Sequence, residues 1–180
     1  MARVALIQED AHPELADLVA GLRGGRAGRL LNIYKLLLHS PPLASSWFGH
    51  VNAVRWQTEL DGQTREIAII RVGILNEVEY VVKAHAGAYA LEEGLTAEQC
   101  DALADWQGSS LFDGRQRAVL ALTDAMTRDI QVADEVFEAL KTHFNERQIV
   151  ELVVLIGTYN MHTRVLAALE IDSEPAPAKS

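Results

Sequence analysis

Apolar residues recur along most of the chain at intervals of three and four positions, which is the spacing of a helix face. The longest such pattern predicts a helix over residues 145–169, opened by the capping-box sequence NERQ at 145–148. The run at 64–75 is so rich in apolar residues that its pattern also fits a buried strand. We favour a buried helix there, because the run is twelve residues long and no second convincing strand is present to pair with it.

The remaining patterns extend the prediction to a single all-α domain of about seven to eight helices. We assign this domain to residues 1–171, place its core at 30–170, and expect residues 172–180 (DSEPAPAKS) to form a disordered tail. A further helix is predicted at 77–93 and ends before Gly94, which suits the left-handed position after a helix. Shorter helices are predicted over residues 13–22, 43–55, 114–128 and 134–143, and a capping box at 96–99 opens one more.

Two segments of the chain resemble each other at an offset of 52 residues. Residues 60–70 read LDGQTREIAII and residues 112–122 read FDGRQRAVLAL, which is consistent with a duplicated helical unit. The informative difference is that Glu66 corresponds to Ala118 in this comparison. Because such a helix starts without a carboxylate at that position, we expect Glu66 to serve another purpose.

Composition and charge narrow the classes of function. The 180 residues carry 25 acidic and 16 basic side chains, for a formal charge of −9, whereas nucleic-acid binding relies on clustered Lys and Arg. No run of about 18 uninterrupted apolar residues predicts a membrane helix, and the first ten residues do not resemble a signal peptide. Cys100 is the only cysteine, which excludes an intramolecular disulfide and a cysteine-built zinc site. We therefore expect a cytoplasmic protein without nucleic-acid or membrane partners.

His85 is the residue that spacing alone marks as a candidate for chemistry. On a helix it returns to the same face as Val78 and Val81, so that one imidazole is set into an apolar stripe. One interpretation is a core histidine whose ring nitrogens are satisfied by nearby carbonyl or carboxylate groups, and spacing alone favours it. The other is a group that exchanges protons at neutral pH, because the reference pKa of histidine is about 6.5.

The segment REIAIIRVGILNEVEYVVKAHAGAYALEEGLT at residues 65–96 resembles the signature of the carboxymuconolactone decarboxylase and AhpD-like superfamily. Members of that superfamily typically read R-E-L-A-I-L-R, then a short loop, then a helix that ends in A-x-x-x-G-L-[ST]. The similarity continues through YKLLLHSPPLASSW at 34–47 and LKTHFNERQIVELVVLIGTYNMHTRVLAAL at 140–169, so it covers most of residues 30–170. It implies an AhpD-like helical fold that assembles as a homo-oligomer, a trimer or a hexamer.

The chain departs from the peroxidase branch of that superfamily at its reactive positions. In the AhpD-like peroxidases this helix carries C-x-x-C followed by a His, with a Glu twelve residues before the first cysteine. The matching positions here are Val78, Val81, His85 and Glu66. Valine neither attacks a peroxide nor forms a disulfide, so thiol peroxidase activity is disfavoured. Glu66 and His85, which can exchange protons, are retained.

The resemblance to the cysteine-lacking branch, which includes decarboxylases of γ-carboxymuconolactone, implies a lyase. The expected reaction is acid–base decarboxylation of a small carboxylated lactone or another intermediate of aromatic-compound catabolism, with His85 as acid or base and Glu66 as its orienting partner. Hydrolysis or isomerisation with the same pair stays open. The alternative is a non-catalytic small-molecule-binding or scaffold protein with the same fold.

Three further residues near His85 are candidates for substrate binding. Arg71 follows Glu66 by about one helical turn, and it either holds a substrate carboxylate as a bidentate donor or pairs with Glu66 or Glu79. Tyr80 can donate a hydrogen bond to an anion, or it packs in the core. Glu79 either faces the substrate or another subunit, or is a charge on the helix surface.

Asn160 and His162 form a polar group within the apolar pattern of the last helix. They either line the pocket, particularly at a contact between subunits, or belong to an ordinary polar helix face. The chain contains no HExxH sequence, no dense cluster of His and carboxylates, and no glycine-rich nucleotide loop. We therefore expect a reaction without a metal ion or an organic cofactor.

Overall fold

The computed structural model describes residues 2–24 and 28–174, and every regular element in those two ranges is helical. The α-helices are α1 (Ala16–Gly24), α2 (Asn32–Leu37), α3 (Pro41–Trp56), α4 (Gly62–Leu75), α5 (Glu79–Ala84), α6 (Ala90–Glu92), α7 (Ala97–Ala102), α8 (Gly114–Asp124), α9 (Asp134–Lys141) and α10 (Glu146–Leu169). This confirms the predicted all-α class, and α4 confirms the choice of helix over strand. Because α5 and α6 flank one kinked turn, the described ranges hold nine separate helices, slightly more than predicted.

Capping side chains explain where several of these helices begin. The capping boxes predicted for α7 and α10 are confirmed, since Thr96 and Asn145 each accept a hydrogen bond from the backbone N–H three residues later. Asp61 caps α4 and Asp113 caps α8 with the same geometry. Local sequence therefore determines the starts of the helices that build the centre of the fold.

The centre of the fold is α4, which contacts α5, α8 and α10. Ten of its 14 residues, from Thr64 to Gly73, are buried, and they include the charged side chains of Arg65, Glu66 and Arg71. The helix has no exposed apolar face because neighbouring helices surround it. A buried charge is costly without a partner, so the partners of these three side chains decide what α4 does.

The helix predicted at 77–93 is interrupted in the structure. α5 begins at Glu79, and a π-helical turn follows at His85–Tyr89 before α6. Gly87 leaves the helical conformation inside that turn, with φ −91° and ψ −118°. Hydrophobic periodicity misses such a turn because one extra residue per turn changes the register without changing residue types. Gly94 has φ +87°, as predicted for the end of the segment.

The two helices whose sequences resemble each other, α4 and α8, pack side by side and run in the same direction. At their first turns, Arg115 Nη2 lies 2.6 Å from Asp61 Oδ2. Near their last turns, Arg71 Nε lies 2.6 Å from Asp124 Oδ1. The resemblance thus corresponds to two neighbouring helices with the same capped start, while the duplication of a unit stays a prediction.

The predicted tail makes contacts with the domain in its first three residues. The Asn32 side-chain amide donates to the backbone oxygen of Asp172 at 3.1 Å, and the Asn32 backbone N–H donates to Glu174 Oε1 at 2.7 Å. Residues 175–180, the rest of that predicted tail, lie outside the described residues. Residues 172–174 therefore pack against the domain. The Glu174 carboxylate accepts from an N–H group at the start of α2 that has no acceptor within the helix.

Among the described helices, α10 alone has the length and composition that crossing a membrane requires. Its most apolar 18-residue window has a mean hydropathy of 1.3, and 39% of that window is buried. Core helices of globular proteins pass the same test, and α10 packs against α3, α4 and α9. Its other side exposes apolar side chains, among them Val150, Val154 and Met161. The predicted homo-oligomer and the predicted lack of a membrane partner stay predictions.

Replacing Asp61 with alanine is expected to lower the free energy of unfolding by about 1 kcal/mol, because the N–H of Thr64 loses its acceptor at the start of α4. Urea denaturation followed by circular dichroism measures the change. The matched control is Asp101→Ala, which removes an exposed carboxylate from the body of α7 and should change the free energy by less than about 0.5 kcal/mol. Equal effects of the two substitutions would contradict the capping role.

Candidate active site

A cavity of about 280 Å³ lies between α2, α3, α5 and α10. Its volume is near the lower end of the range for small-molecule sites. Its wall combines cationic, aromatic and aliphatic side chains with one carboxylate. The lining residues are Arg29, Leu31, Ile33, Tyr34, Val51, Arg55, Tyr80, Lys83, Ala84, His85, Tyr89, Tyr159, His162, Ser173 and Glu174.

The structure brings the predicted pair, His85 and Glu66, together. His85 Nδ1 lies 2.6 Å from Glu66 Oε2, and both side chains are buried. Glu66 comes from α4, behind the imidazole as seen from the cavity, while His85 itself borders the cavity. The π-helical turn presents the ring there, between the rings of Tyr89 and Tyr159, whose centroids lie 5.5 and 5.6 Å from that of His85.

The charges around this pair decide which protonation states prevail. Burial by itself raises the pKa of Glu66, but the hydrogen bond from His85 and the positive charges of His85, Arg55 and Arg65 lower that pKa overall. Burial lowers the pKa of His85, and Arg55 and Arg65 lower it further, while Glu66 opposes the change. At neutral pH Glu66 is therefore ionised and His85 is neutral.

This protonation state assigns the tautomer of His85. A neutral imidazole carries one N–H, and the ionised Glu66 requires that N–H to be at Nδ1. Nε2 then carries the lone pair, and it has no hydrogen-bond partner among the described residues. The resting site thus offers a proton acceptor to a molecule in the cavity, and it becomes a donor once Nε2 is protonated.

Arg55 is a member of the site that the sequence analysis missed. Its side chain is only 6% exposed, it lines the cavity from α3, and its Nη2 lies 3.7 Å from Glu66 Oε1. Its guanidinium carbon lies 4.6 Å from the Trp56 ring and 4.9 Å from the Tyr89 ring. The only signal in the sequence is an arginine between the apolar positions of a predicted helix, which is too common to identify a site.

Arg71 does not lie at the cavity, so its predicted role in substrate binding is wrong. Its Nε and Nη2 donate to the two oxygens of Asp124 at 2.6 and 2.7 Å, and its Nη1 donates to the backbone oxygens of Leu103 and Ala104. Its side chain is 2% exposed. Every nitrogen of the guanidinium is thus engaged with Asp124 or the backbone, and neither predicted glutamate is a partner.

Two other predicted contacts with substrate also lie away from the cavity. Glu79 is exposed and pairs with Lys83 at 2.5 Å, and this hydrogen bond holds the pKa of Glu79 below its ordinary value. Asn160 donates to Thr127 at 3.0 Å and accepts from Asn76 at 3.1 Å. Glu79 is thus a surface charge on α5. Asn160 links α10 to neighbouring segments through its side-chain hydrogen bonds.

Tyr80 and His162, two of the predicted substrate-binding residues, both line the cavity. The Tyr80 hydroxyl donates to Glu174 Oε1 at 2.8 Å, and burial raises the pKa of Tyr80 far above its ordinary value, so the hydroxyl stays protonated. The His162 ring lies 5.6 Å from the rings of both Trp47 and Tyr159. Their contact with a substrate stays a prediction.

The positions that carry sulfur in the peroxidase branch are buried and do not line the cavity. Val78 and Val81 are both part of the hydrophobic core. Cys100 is buried on α7, and burial raises the pKa of its thiol, which disfavours the reactive thiolate. Within residues 2–24 and 28–174, no group of three His, Cys, Asp or Glu side chains is placed to hold a metal ion.

Comparison with known proteins relates this chain to one family. The sequence profile of the Carboxymuconolactone decarboxylase family matches residues 41–125, which extend from α3 to the end of α8 and contain Arg55, Glu66 and His85. Over these residues the chain is similar to the carboxymuconolactone decarboxylase family, and it shares the fold of AhpD-like proteins, as the sequence resemblance predicts.

Individual proteins show the same similarity. The protein YdfG of Bacillus subtilis strain 168 is 27% identical over 115 residues, which cover 63% of this chain and 78% of YdfG. A peroxidase-related protein with the alkylhydroperoxidase AhpD core from Ralstonia eutropha JMP134 has a TM-score of 0.81 and 18% identity, over 96% of this chain and 92% of its own. The debrominase Bmp8, solved in complex with 2,3,4-tribromopyrrole, has a TM-score of 0.80 and 19% identity, over 98% and 96% of the two chains. At these identities the two structures show a shared fold, and one fold supports several chemistries.

Proposed function

We propose that this protein is a cofactor-independent lyase that decarboxylates a small carboxylated lactone or a related intermediate of aromatic-compound catabolism. The observation that carries the proposal is the placement of His85, whose Nδ1 is held 2.6 Å from a buried carboxylate while its ring borders a cavity. A histidine that serves only the core would have no reason to border a cavity. Similarity to a family that contains enzymes supports the same proposal.

The cavity suits a small planar anion. Arg29, Arg55 and Lys83 contribute positive charge to its wall against the one carboxylate of Glu174, although Lys83 also pairs with Glu79. Several tyrosines contribute flat apolar surface. Its volume of about 280 Å³ accommodates a single small ring with substituents. The net charge of the whole chain, −9, repels anions at long range, so binding depends on these local cations.

The proposed step needs one proton and a place for negative charge. The bond between the ring carbon and the carboxylate breaks, CO2 leaves, and the electron pair moves into the conjugated lactone. His85, protonated at Nε2 from solvent beforehand, delivers that proton to carbon and returns to its neutral form. Glu66 remains ionised and stabilises the imidazolium through the hydrogen bond to Nδ1. His85 is thus the catalytic residue and Glu66 a positioning residue.

Replacing His85 with glutamine is expected to lower turnover by about 10²-fold or more, which is the usual contribution of a general acid or base. The assay presents γ-carboxymuconolactone and related carboxylated lactones to the purified protein and measures CO2 release. The matched control is His143→Gln, which makes the same change at an exposed histidine outside the cavity and should leave turnover unchanged.

Two results would overturn the proposed lyase. Full turnover in a folded His85→Gln variant would remove the histidine from the mechanism. No CO2 release by the wild-type protein with any lactone that it binds would instead support the non-catalytic binding or scaffold protein. The predicted cytoplasmic location is part of this proposal and is checked separately by cell fractionation.

A further inference from the structure

Arg55 differs from the other buried arginines of α3 and α4 in its hydrogen bonds. Arg65 donates to Glu93 at 2.5 Å and to Glu66 at 3.3 Å, and Arg71 is held by Asp124 and two backbone oxygens. Arg55 makes no hydrogen bond to any described residue, and its Nε and Nη2 are both buried without an acceptor. A buried guanidinium that lacks acceptors is costly, and an anion in the cavity that Arg55 borders would lower this cost.

The neighbouring carboxylate does not fill this need. Glu66 Oε1 lies 3.7 Å from Arg55 Nη2, which is too long for a hydrogen bond, and the same oxygen accepts from Arg65. The other oxygen of Glu66 is occupied by His85. Glu66 therefore lowers the electrostatic cost of burying Arg55 but leaves its donors unused.

The surroundings hold the guanidinium in place beside the cavity. It lies against the rings of Trp56 and Tyr89, which fix its plane without competing for its N–H groups. Arg55 and His85 both border the cavity and both approach Glu66, so a ligand that reaches one of them lies near the other. Such a fixed planar donor is suited to an oxygen anion.

We infer that Arg55 is the anion-binding residue of this cavity and holds a negatively charged oxygen of a small planar ligand next to His85. This inference shares the cavity with the proposed function and depends on that function in no other way. In the proposed lyase, an ion pair with the departing carboxylate would stabilise the ground state and slow the reaction. Arg55 therefore serves an oxygen on which negative charge remains or grows after CO2 has left.

A binding experiment with a matched pair of probes tests this assignment without turnover. Benzoate carries a carboxylate on a planar ring, and benzamide has nearly the same shape without the charge. Isothermal titration calorimetry on the full chain is expected to show tighter binding of benzoate than of benzamide. Arg55→Gln is expected to weaken benzoate binding at least tenfold and to change benzamide binding less than twofold.

The control variant is Arg115→Gln, which removes one positive charge from the partly exposed pair with Asp61, outside the cavity. It should change neither affinity by more than twofold. Unchanged benzoate affinity in folded Arg55→Gln, or equal binding of the two probes by the wild-type protein, would overturn the assignment. Failure of the wild-type protein to bind benzoate at millimolar concentration would also count against it.

A measurement on the wild-type protein covers the case in which Arg55→Gln does not fold. In an NMR spectrum with ¹⁵N-labelled arginine, addition of benzoate is expected to shift the Nε–H resonance of Arg55 and to leave that of Arg71 in place. Arg55→Lys identifies the resonance and keeps the charge. A shift confined to other arginines would refute the inference. Because no step depends on turnover, the outcome is separate from that of the lyase assay.

Discussion

Replacing Glu66 with glutamine is expected to lower turnover of the proposed reaction by about 10²-fold or more. The glutamine oxygen still accepts the hydrogen bond from His85 Nδ1, so the ring keeps its place. The variant lacks the negative charge that stabilises the imidazolium and that lies beside Arg55 and Arg65, of which Arg65 keeps its pair with Glu93. The expected loss of turnover therefore arises because His85 is protonated less readily, and not because its ring has moved.

The pH dependence of turnover distinguishes these two causes. Glu66 raises the pKa of His85 against the lowering effects of burial and of the arginines, so its removal lowers that pKa further. A reaction that needs protonated His85 loses activity as the pH rises through this pKa. The falling limb of the kcat profile should therefore move to lower pH in Glu66→Gln. Glu79→Gln, which removes an exposed carboxylate outside the cavity, should keep the wild-type profile.

Wild-type turnover in Glu66→Gln with an unmoved profile would contradict the positioning role. A variant with reduced turnover and an unmoved profile would show that Glu66 acts on the shape of the site and not on the proton. The ¹⁵N spectrum of the His85 ring provides an independent readout, because the wild-type protein should show the proton on Nδ1 at neutral pH.

Replacing Arg71 with methionine is expected to lower the free energy of unfolding by about 3–5 kcal/mol. The substitution leaves Asp124 without its bidentate partner in a nearly buried position and leaves the backbone oxygens of Leu103 and Ala104 without their donor. Urea denaturation measures the change. Lys141→Met, at an exposed pair with Glu138, should cost less than about 1 kcal/mol.

The double variant Arg71→Met, Asp124→Leu distinguishes the cost of a buried unpaired charge from the cost of lost side-chain packing. Because it also removes the carboxylate that has lost its bidentate partner and keeps only longer contacts with Trp106, Gln107 and Arg128, it should be more stable than Arg71→Met alone. Additive losses from the two single substitutions would contradict the interpretation that the buried ion pair links the ends of α4 and α8. Turnover of the folded variants should fall far less than in His85→Gln, since Arg71 does not line the cavity.

The error about Arg71 has a simple geometric origin. Arg71 and Glu66 are close in sequence, but five residues turn a helix through about 500°, which places the two side chains about 140° apart. Glu66 consequently meets His85, and Arg71 meets Asp124, which is 53 residues away in the chain. Proximity in the sequence suggested a contact that the helix does not permit.

Arg55 was missed for the opposite reason. It is 11 residues before Glu66 in the chain, on a separate helix, and nothing in its local sequence indicates that it borders the same cavity as His85. The pair of Glu66 and His85 was found only because the superfamily resemblance connects the two positions. Residue types alone left His85 open to interpretation as a core histidine.

Local sequence patterns were sufficient to predict the helical class, the burial of α4 and the capped starts of α7 and α10. These features depend on the spacing of apolar residues and on hydrogen bonds between residues three positions apart, and both are visible in a linear sequence. The partner of Arg71, the acceptor-free Arg55 and the π-helical turn that presents His85 arose from packing. Contacts between distant segments depend on how whole helices fit together, which no short stretch of sequence encodes.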